Sequence, residues 1–395
     1  MFMMWEEKKV NQRILIMIVI QMALLILWIP GLEYPDASVH FPKVHNNIRG
    51  EVYFEILGIV ENGIERLDDK EVVFRLNEEF IPLSWQPIWQ HNSYNYISVM
   101  LYQGINILLV IASIFLFYVI IKRDKFLTAQ EKNWLIRLDL LYFLIPATAY
   151  LAVGITPDVA IYLFQPFLFY LLYKNKYFFA LTLSVVLGII GDKSGFICAL
   201  FVGVLFGVKL LYRLAQRNRR IFLLFVILVI GIPCLVFLRL TIGKINSDNF
   251  ILWVMQSSIE SNGRLLTKYL NFFLESFCFW GAGGYFTLPV FYIAYGWLLV
   301  KVLFKAIVDV NNSSNGKLLL AATGMIGGLI IIFPPYSSIR YYMFFPLILI
   351  GAIYEYIVKD KYIQNNNTFL TVSSVLFTHN IVLAGLIGIY TFVIM

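Results

Sequence analysis

Charge is scarce in this chain. Only 14% of its 395 residues are Asp, Glu, Lys or Arg, while 60% are hydrophobic. A water-soluble domain coats itself with roughly a quarter charged residues, so a soluble fold is excluded and lipid must cover much of the surface. Cysteine is scarce too. Cys198, Cys234 and Cys278 fall in or beside apolar runs at unrelated spacings, which excludes a disulfide framework, shows no metal pattern and leaves them as packing residues. Internal repeats, low-complexity tracts and heptads are missing. So is any stretch long enough for a soluble domain of ordinary size, since neither long polar segment exceeds about 70 residues. The first apolar run has no small-x-small cleavage site before Gly31, so it is expected to be an uncleaved first span rather than a signal peptide.

What the chain has instead is apolar length. Its mean hydropathy is +0.76, and runs approaching the roughly 20 residues of a spanning helix recur along it. The expected spans are 14–30, 97–121, 138–153, 159–173, 177–191, 195–212, 221–240, 285–303, 318–334, 341–357 and 369–395. Those within 159–212 are short. The expected fold is therefore an all-α integral membrane protein, a single transmembrane domain over 1–395 with about eleven transmembrane helices. Aromatic residues make up 17% of the chain, which suits rings placed at the headgroup level. Gly203 with Gly207, and Gly324 with Gly328, are small-xxx-small pairs expected to let helices pack closely.

Orientation follows from the basic residues in short loops. Lys8, Lys9 and Arg13 precede the first span. Lys122, Arg123, Lys125, Lys132 and Arg137 share one loop, and Lys174 and Lys176 mark another. Lys209, Arg213, Arg217, Arg219 and Arg220 form a third group, Lys301, Lys305 and Lys317 a fourth, and Lys359 and Lys361 a fifth. Twenty of the 31 basic residues thus fall on one side, expected to be the cytoplasm. The N-terminus is then cytoplasmic and the C-terminus extracytoplasmic, in a bacterial plasma membrane. The net charge of +7 marks orientation, not a nucleic-acid partner.

Two long extracytoplasmic segments remain, 31–96 and 241–284. The first carries eleven acidic and five basic residues. In it Tyr53, Ile56, Leu57, Val60, Ile64 and Leu67 recur at helical spacing, with Glu51, Glu55, Glu61 and Glu65 largely on the other face. That pattern predicts an amphipathic helix on the membrane or against the bundle. The second segment has a similar character around Trp253, Leu265, Leu266, Leu270, Phe273 and Phe277. The two segments either cap the bundle or roof a site at the outer surface.

Ionisable residues at the ends of spans are costly to leave unpaired and mark function. The candidates are Glu33, Asp36 and His40 after the first span; Asp158; Asp192 with Lys193; Arg340 followed by Tyr341; and, more weakly, Lys244, Arg264 and Lys268. Asp36 and His40 are four residues apart, and Pro35 suits a first helical turn, so both would share one helix face. On spacing alone a helix cap at Asp36 and an interfacial histidine at His40 are the favoured reading.

Pro35-Asp36-Ala37-Ser38-Val39-His40-Phe41 resembles the P-D-E-x-x-H-F motif of a bacterial membrane-protein family related to the GT-C glycosyltransferases. Ser338-Ile339-Arg340-Tyr341-Tyr342-Met343-Phe344-Phe345-Pro346 resembles the late R-Y segment of the same family, with its proline displaced. One span, a long outer loop and then many spans is also GT-C-like, and O-antigen and capsule polymerases share the layout. The resemblance covers two short motifs and the layout, and Ala37 stands where the family has a glutamate.

The resemblance implies a membrane glycosyltransferase or polysaccharide polymerase. It would move sugar from a polyprenyl-phosphate-linked donor to a glycan or lipid-linked acceptor. Asp36 would accept the proton of the attacking hydroxyl, with Asp158 a second carboxylate. Arg340 would stabilise the departing phosphate, with Lys193 second. His40 would position the acceptor or complete a divalent-metal site, for which the ligand set is thin. A transporter or flippase of lipid-linked saccharide is the alternative, weighed against by the lack of repeats and the placing of charge at span ends. An acyltransferase using His40 and a non-catalytic assembly partner complete the set.

Overall fold

The computed structural model describes residues 2–28, 72–73, 93–94, 96–145, 148–149, 152, 159–190, 193–217, 289–310, 312–332, 342–358 and 366–394. Ten α-helices stand among them: α1 Phe2–Trp28, α2 Tyr96–Arg123, α3 Ala129–Leu144, α4 Val159–Tyr173, α5 Tyr177–Ile190, α6 Lys193–Arg217, α7 Pro289–Val308, α8 Ser314–Ile332, α9 Phe344–Ile353 and α10 Asn366–Ile394. A π-helical turn, Tyr354–Val358, extends α9. Two-residue strands β1 (Val72–Val73) and β2 (Ser93–Tyr94) pair antiparallel, Val72 with Tyr94. Helices thus occupy ten of the eleven expected apolar runs. Residues 221–240, and the amphipathic helices expected in the two long segments, lie outside the described residues.

Among the described residues, three stretches are long and apolar enough to cross a membrane: Lys9–Ile26, Gln103–Arg123 and Ser194–Leu211. Val159–Tyr173, Tyr177–Ile190, Phe344–Tyr356 and Phe369–Val382 are shorter apolar helices. Leu108, Phe115, Phe178, Ile189, Val208 and Phe304 all stand exposed on helix faces. Apolar surface on this scale suits lipid, not water.

Helix α3 departs from expectation. The apolar run 138–153 placed it about nine residues too late, because local capping outweighs hydropathy at both of its ends. Thr128 opens it with a capping box: Glu131 N donates to Thr128 Oγ1 (3.2 Å), and Thr128 N donates to Glu131 Oε2 (2.8 Å). Ile145 is extended (φ −60°, ψ 129°) and closes it, as befits a residue before proline. Arg137, read as a loop cation, therefore lies buried within the bundle, its guanidinium 4.8 Å from the Phe369 ring centroid on α10.

Side-chain contacts sort the helix ends into two groups. Just past α2, Asp124 pairs with Lys174 just past α4 (3.3 Å). Trp134 near the start of α3 packs on Tyr173 of α4 and on Tyr354 beyond α9, with centroids 5.3 Å apart in each case. Lys305 Nζ near the end of α7 donates to Tyr356 O (2.8 Å). Lys209 near the end of α6 lies over Tyr177 at the start of α5 (4.4 Å). These ends form a basic end of the bundle, bearing Lys122, Arg123, Lys125, Lys132, Lys174, Lys176, Lys209 and Lys305. Four of the basic loops grouped by sequence thus meet in space. The opposite end holds Trp28, Val159, the start of α6 and Tyr342.

The α4–α5 turn shows why it is tight. Lys176 N donates to Leu171 O (2.8 Å) and Asn175 N to Leu172 O (2.9 Å). This Schellman pattern requires a left-handed residue at Asn175 (φ 56°), which asparagine tolerates. At the other end of α5, Gly195 of α6 packs directly on the backbone of Gly188, and a Cβ at Gly188 would meet the Phe196 ring at 2.9 Å. The expected glycine pairs behave otherwise. Among the described residues, a Cβ at Gly203 would meet Leu181 only at ordinary contact (3.8 Å) and one at Gly207, Gly324 or Gly328 nothing within 4 Å, whereas the close backbone approach falls at Gly188 and Gly195.

Candidate functional site

Of the candidates read from sequence, Asp36, His40, Asp158, Asp192, Lys244, Arg264, Arg340 and Tyr341 lie outside the described residues, as does the side chain of Lys193, whose backbone opens α6. Their described neighbours share one end of the bundle: α4 opens at Val159, α6 at Lys193, and Tyr342 precedes α9. Tyr342 and Phe344 are both buried and meet edge to face (6.3 Å between centroids). Phe344 stacks on Phe201 of α6 (4.5 Å, 12° between planes). This aromatic column anchors the entry to α9 against α6.

Beneath that end a few polar side chains gather within the apolar bundle interior, and the last turn of α3 explains part of them. A helix leaves its final four carbonyls without intrahelical donors, and in an apolar interior each must find one. Ile145 N–H serves Leu141 O (3.0 Å) and Tyr142 O (3.2 Å). Gln21 of α1 donates through Nε2 to Phe143 O (3.3 Å), and Asn380 of α10 donates through Nδ2 to Leu144 O (2.8 Å). Asn380 Nδ2 also donates to Gln21 Oε1 (2.6 Å), and His379 Nδ1 lies 3.3 Å from Asn380 Oδ1. Two helices distant in sequence thus complete a third. Pro166 within α4 makes a similar demand, since it lacks the N–H that would bond Tyr162 O. Ser113 of α2 donates to the next carbonyl, Leu163 O, at 2.6 Å.

A second polar group joins α3, α4 and α6. Asp139 and Tyr142 of α3, Thr148, Gln165 of α4 and Cys198 of α6 are all buried. Gln165 Nε2 donates to Cys198 Sγ (3.2 Å). Thr148 stands beside the Tyr142 hydroxyl, and Asp139 and Cys198 lie within electrostatic reach of it. Asp139 is 1% exposed. Sequence reasoning placed charge only at span ends and missed it. Its signal was an aspartate between Leu138 and Leu140 inside an apolar run, the pattern that marks a functional residue in a membrane.

The basic end is built differently, from surface pairs. Asp124 accepts from the Tyr170 hydroxyl (2.5 Å) and from Phe126 N (2.8 Å). The Tyr170 hydrogen bond foremost, with Phe126 N–H and Lys174, holds its carboxyl below the usual aspartate range. Glu131 is likewise lowered, mainly by the Thr128 N–H and hydroxyl, with help from Tyr173. Lys132 Nζ donates to Lys122 O (3.0 Å), closing the α2–α3 loop. These contacts fix loops and carry no reaction chemistry.

Among the described residues no three His, Cys, Asp or Glu side chains gather to hold a metal ion. No family model, curated protein or solved structure matches this chain. Its chemistry must therefore be argued from its own residues.

Proposed function

We propose that the chain is a polytopic membrane glycosyltransferase or polysaccharide polymerase of GT-C-like architecture. It transfers sugar from a polyprenyl-phosphate-linked donor at the extracytoplasmic face, in cell-surface glycan synthesis. The observation that carries this reading is the pair of sequence motifs, Pro35 to Phe41, which follows α1 in the chain, and Ser338 to Pro346, which runs into the start of α9. In this reading the basic end faces the cytoplasm, in a bacterial plasma membrane, and about eleven helices span the bilayer.

The acceptor hydroxyl attacks the anomeric carbon of the donor. A carbon–oxygen bond forms to the acceptor, the bond to the lipid phosphate breaks, and the hydroxyl proton passes to Asp36. Arg340 stabilises the charge gathered on the departing phosphate through its two-pronged fork. Lys193 and Asp158 complete the polar rim, with Asp192, Tyr341, Lys244 and Arg264 around the saccharide, and His40 orients the acceptor. Asp36→Asn and Arg340→Ala should each abolish turnover of polyprenyl-linked sugars by protein reconstituted in lipid while leaving its melting profile intact. Full activity in both variants would sink the assignment.

One observation favours a second reading. Asp139 is an ionisable residue inside the bundle, as in transporters that couple an ion to their substrate. A flippase of lipid-linked saccharide would move the labelled lipid across proteoliposomes without forming any glycosidic bond. A transferase would form the bond without flux.

A further inference from the structure

We propose that the α2–α3 loop and the α4–α5 turn form one docking surface for anionic phospholipid. The Phe126 ring enters the tops of the tails, and Lys122, Arg123, Lys125, Lys174 and Lys176 meet the headgroup phosphates. The inference rests on the apolar helices and not on the glycosyltransferase reading. Phe126 is 89% exposed. It lies just past Gln103–Arg123, a stretch long and apolar enough to cross a membrane, so its ring falls at headgroup depth, where aromatic side chains are favoured. The loop holds the ring outwards. Phe126 N donates to Asp124 Oδ1 (2.8 Å), Leu127 beside it is buried, and Lys132 Nζ donates to Lys122 O (3.0 Å). A loop already fixed loses little freedom on binding.

Charge around the ring is of one sign. Lys174 Nζ lies 5.6 Å from the Phe126 centroid and 3.3 Å from Asp124 Oδ2, which joins the loop and the turn in space. Both carboxylates of this surface are committed: Asp124 to Tyr170, Phe126 N and Lys174, and Glu131 to Thr128 and Tyr173. Lys122, Arg123, Lys125 and Lys176 are exposed, and among the described residues none of them is in an ion pair. Apolar surface continues from this patch onto the helices. Phe178 and Phe179 stand exposed just past Lys176, and Lys122 Nζ lies 5.6 Å from the exposed Tyr118 ring, one turn back along α2. An acidic protein would answer the cations but not the apolar faces that run on from them. An anionic lipid answers both, with each basic residue near the surface adding attraction.

Binding of tail-labelled phosphatidylglycerol and phosphatidylcholine to the full chain in neutral-detergent micelles, read by fluorescence anisotropy, tests the cations. The wild type should prefer phosphatidylglycerol, and added NaCl should erase the preference by screening. Lys122→Gln, Arg123→Gln, Lys125→Gln and Lys176→Gln combined should abolish it, each contributing up to about fivefold. Phe126→Trp in nanodiscs containing phosphatidylglycerol tests the ring. Its added emission should be quenched by lipids brominated high on the tails and not by acrylamide in the water. Equal binding of the two lipids by the wild type, or a preference that survives salt or the combined neutralisation, overturns the proposal. So does added emission open to acrylamide, as on a face left for a soluble acidic partner. Should the neutralised chain fail to fold, the salt titration of the wild type decides.

Discussion

Asn380→Leu tests the polar clasp that completes α3. The substitution nearly conserves volume but removes the amide that donates to Leu144 O at 2.8 Å and to Gln21 Oε1 at 2.6 Å. Gln21 is a side chain and can turn towards another partner. Leu144 O is a backbone carbonyl in a buried helix end and cannot. A stranded buried acceptor costs about 1–3 kcal/mol in water-soluble proteins, whereas interhelical hydrogen bonds in membranes average about 0.6 and reach about 1.7 kcal/mol. One fixed and one relaxable acceptor place Asn380→Leu at about 1–3 kcal/mol of destabilisation. Gln21→Leu removes the same interhelical bond together with the donor to Phe143 O. The two changes should therefore couple by about 0.5–2 kcal/mol in a double-mutant cycle. Equilibrium unfolding in mixed micelles titrated with SDS measures all four corners, with Val375→Leu on the exposed face of α10 as the neutral control. Single changes each below about 0.5 kcal/mol and additive within about 0.3 kcal/mol would refute the clasp.

Other outcomes follow from the same geometry. Gly195→Ala drives a Cβ into the Gly188 backbone, where no rotamer can relieve it. It should cost about 1–3 kcal/mol and lower the melting temperature, whereas Gly207→Ala, which meets nothing, should be neutral or stabilising. Thr128→Ala removes the capping box of α3 and should cost about 1 kcal/mol in the same unfolding titration. Asp124 and Glu131 have lowered folded-state pKa values, for Asp124 chiefly through Tyr170 and for Glu131 chiefly through Thr128. The stability they contribute is complete above their unfolded values of about 4 and is lost as pH falls through the lower folded values. Thermal scans on acidification should show that loss in the wild type and less of it in Asp124→Asn; a wild type that gains stability there would contradict the pairing.

Much of the architecture was legible because hydropathy acts over a whole helix. Runs such as 97–121 and 195–212 must be helical in lipid, since only a helix satisfies its backbone internally there. The grouping of basic residues was legible for the same reason, and the Asp124–Lys174 pair joins two of those groups. Helix α3 was not, because its limits depend on a capping box at Thr128 and an extended Ile145 rather than on apolarity. The glycine pairs misled because spacing gives a face but not what lies against it. As for the site, Asp36, His40, Asp158 and Arg340 rest on sequence pattern, while the burial of Asp139 came from the packing around it.

The sequence by itself determined that much of this protein suits lipid and how its basic residues group along the chain, because the free-energy cost of charge in lipid is set residue by residue. Tertiary structure decided which polar groups meet. Gln21 and Asn380, 359 positions apart, close the end of α3, and Gln165 and Cys198 join the helices around Asp139. Such pairings depend on the rotation and depth of each helix, which are fixed when whole faces pack together and not by any one segment alone.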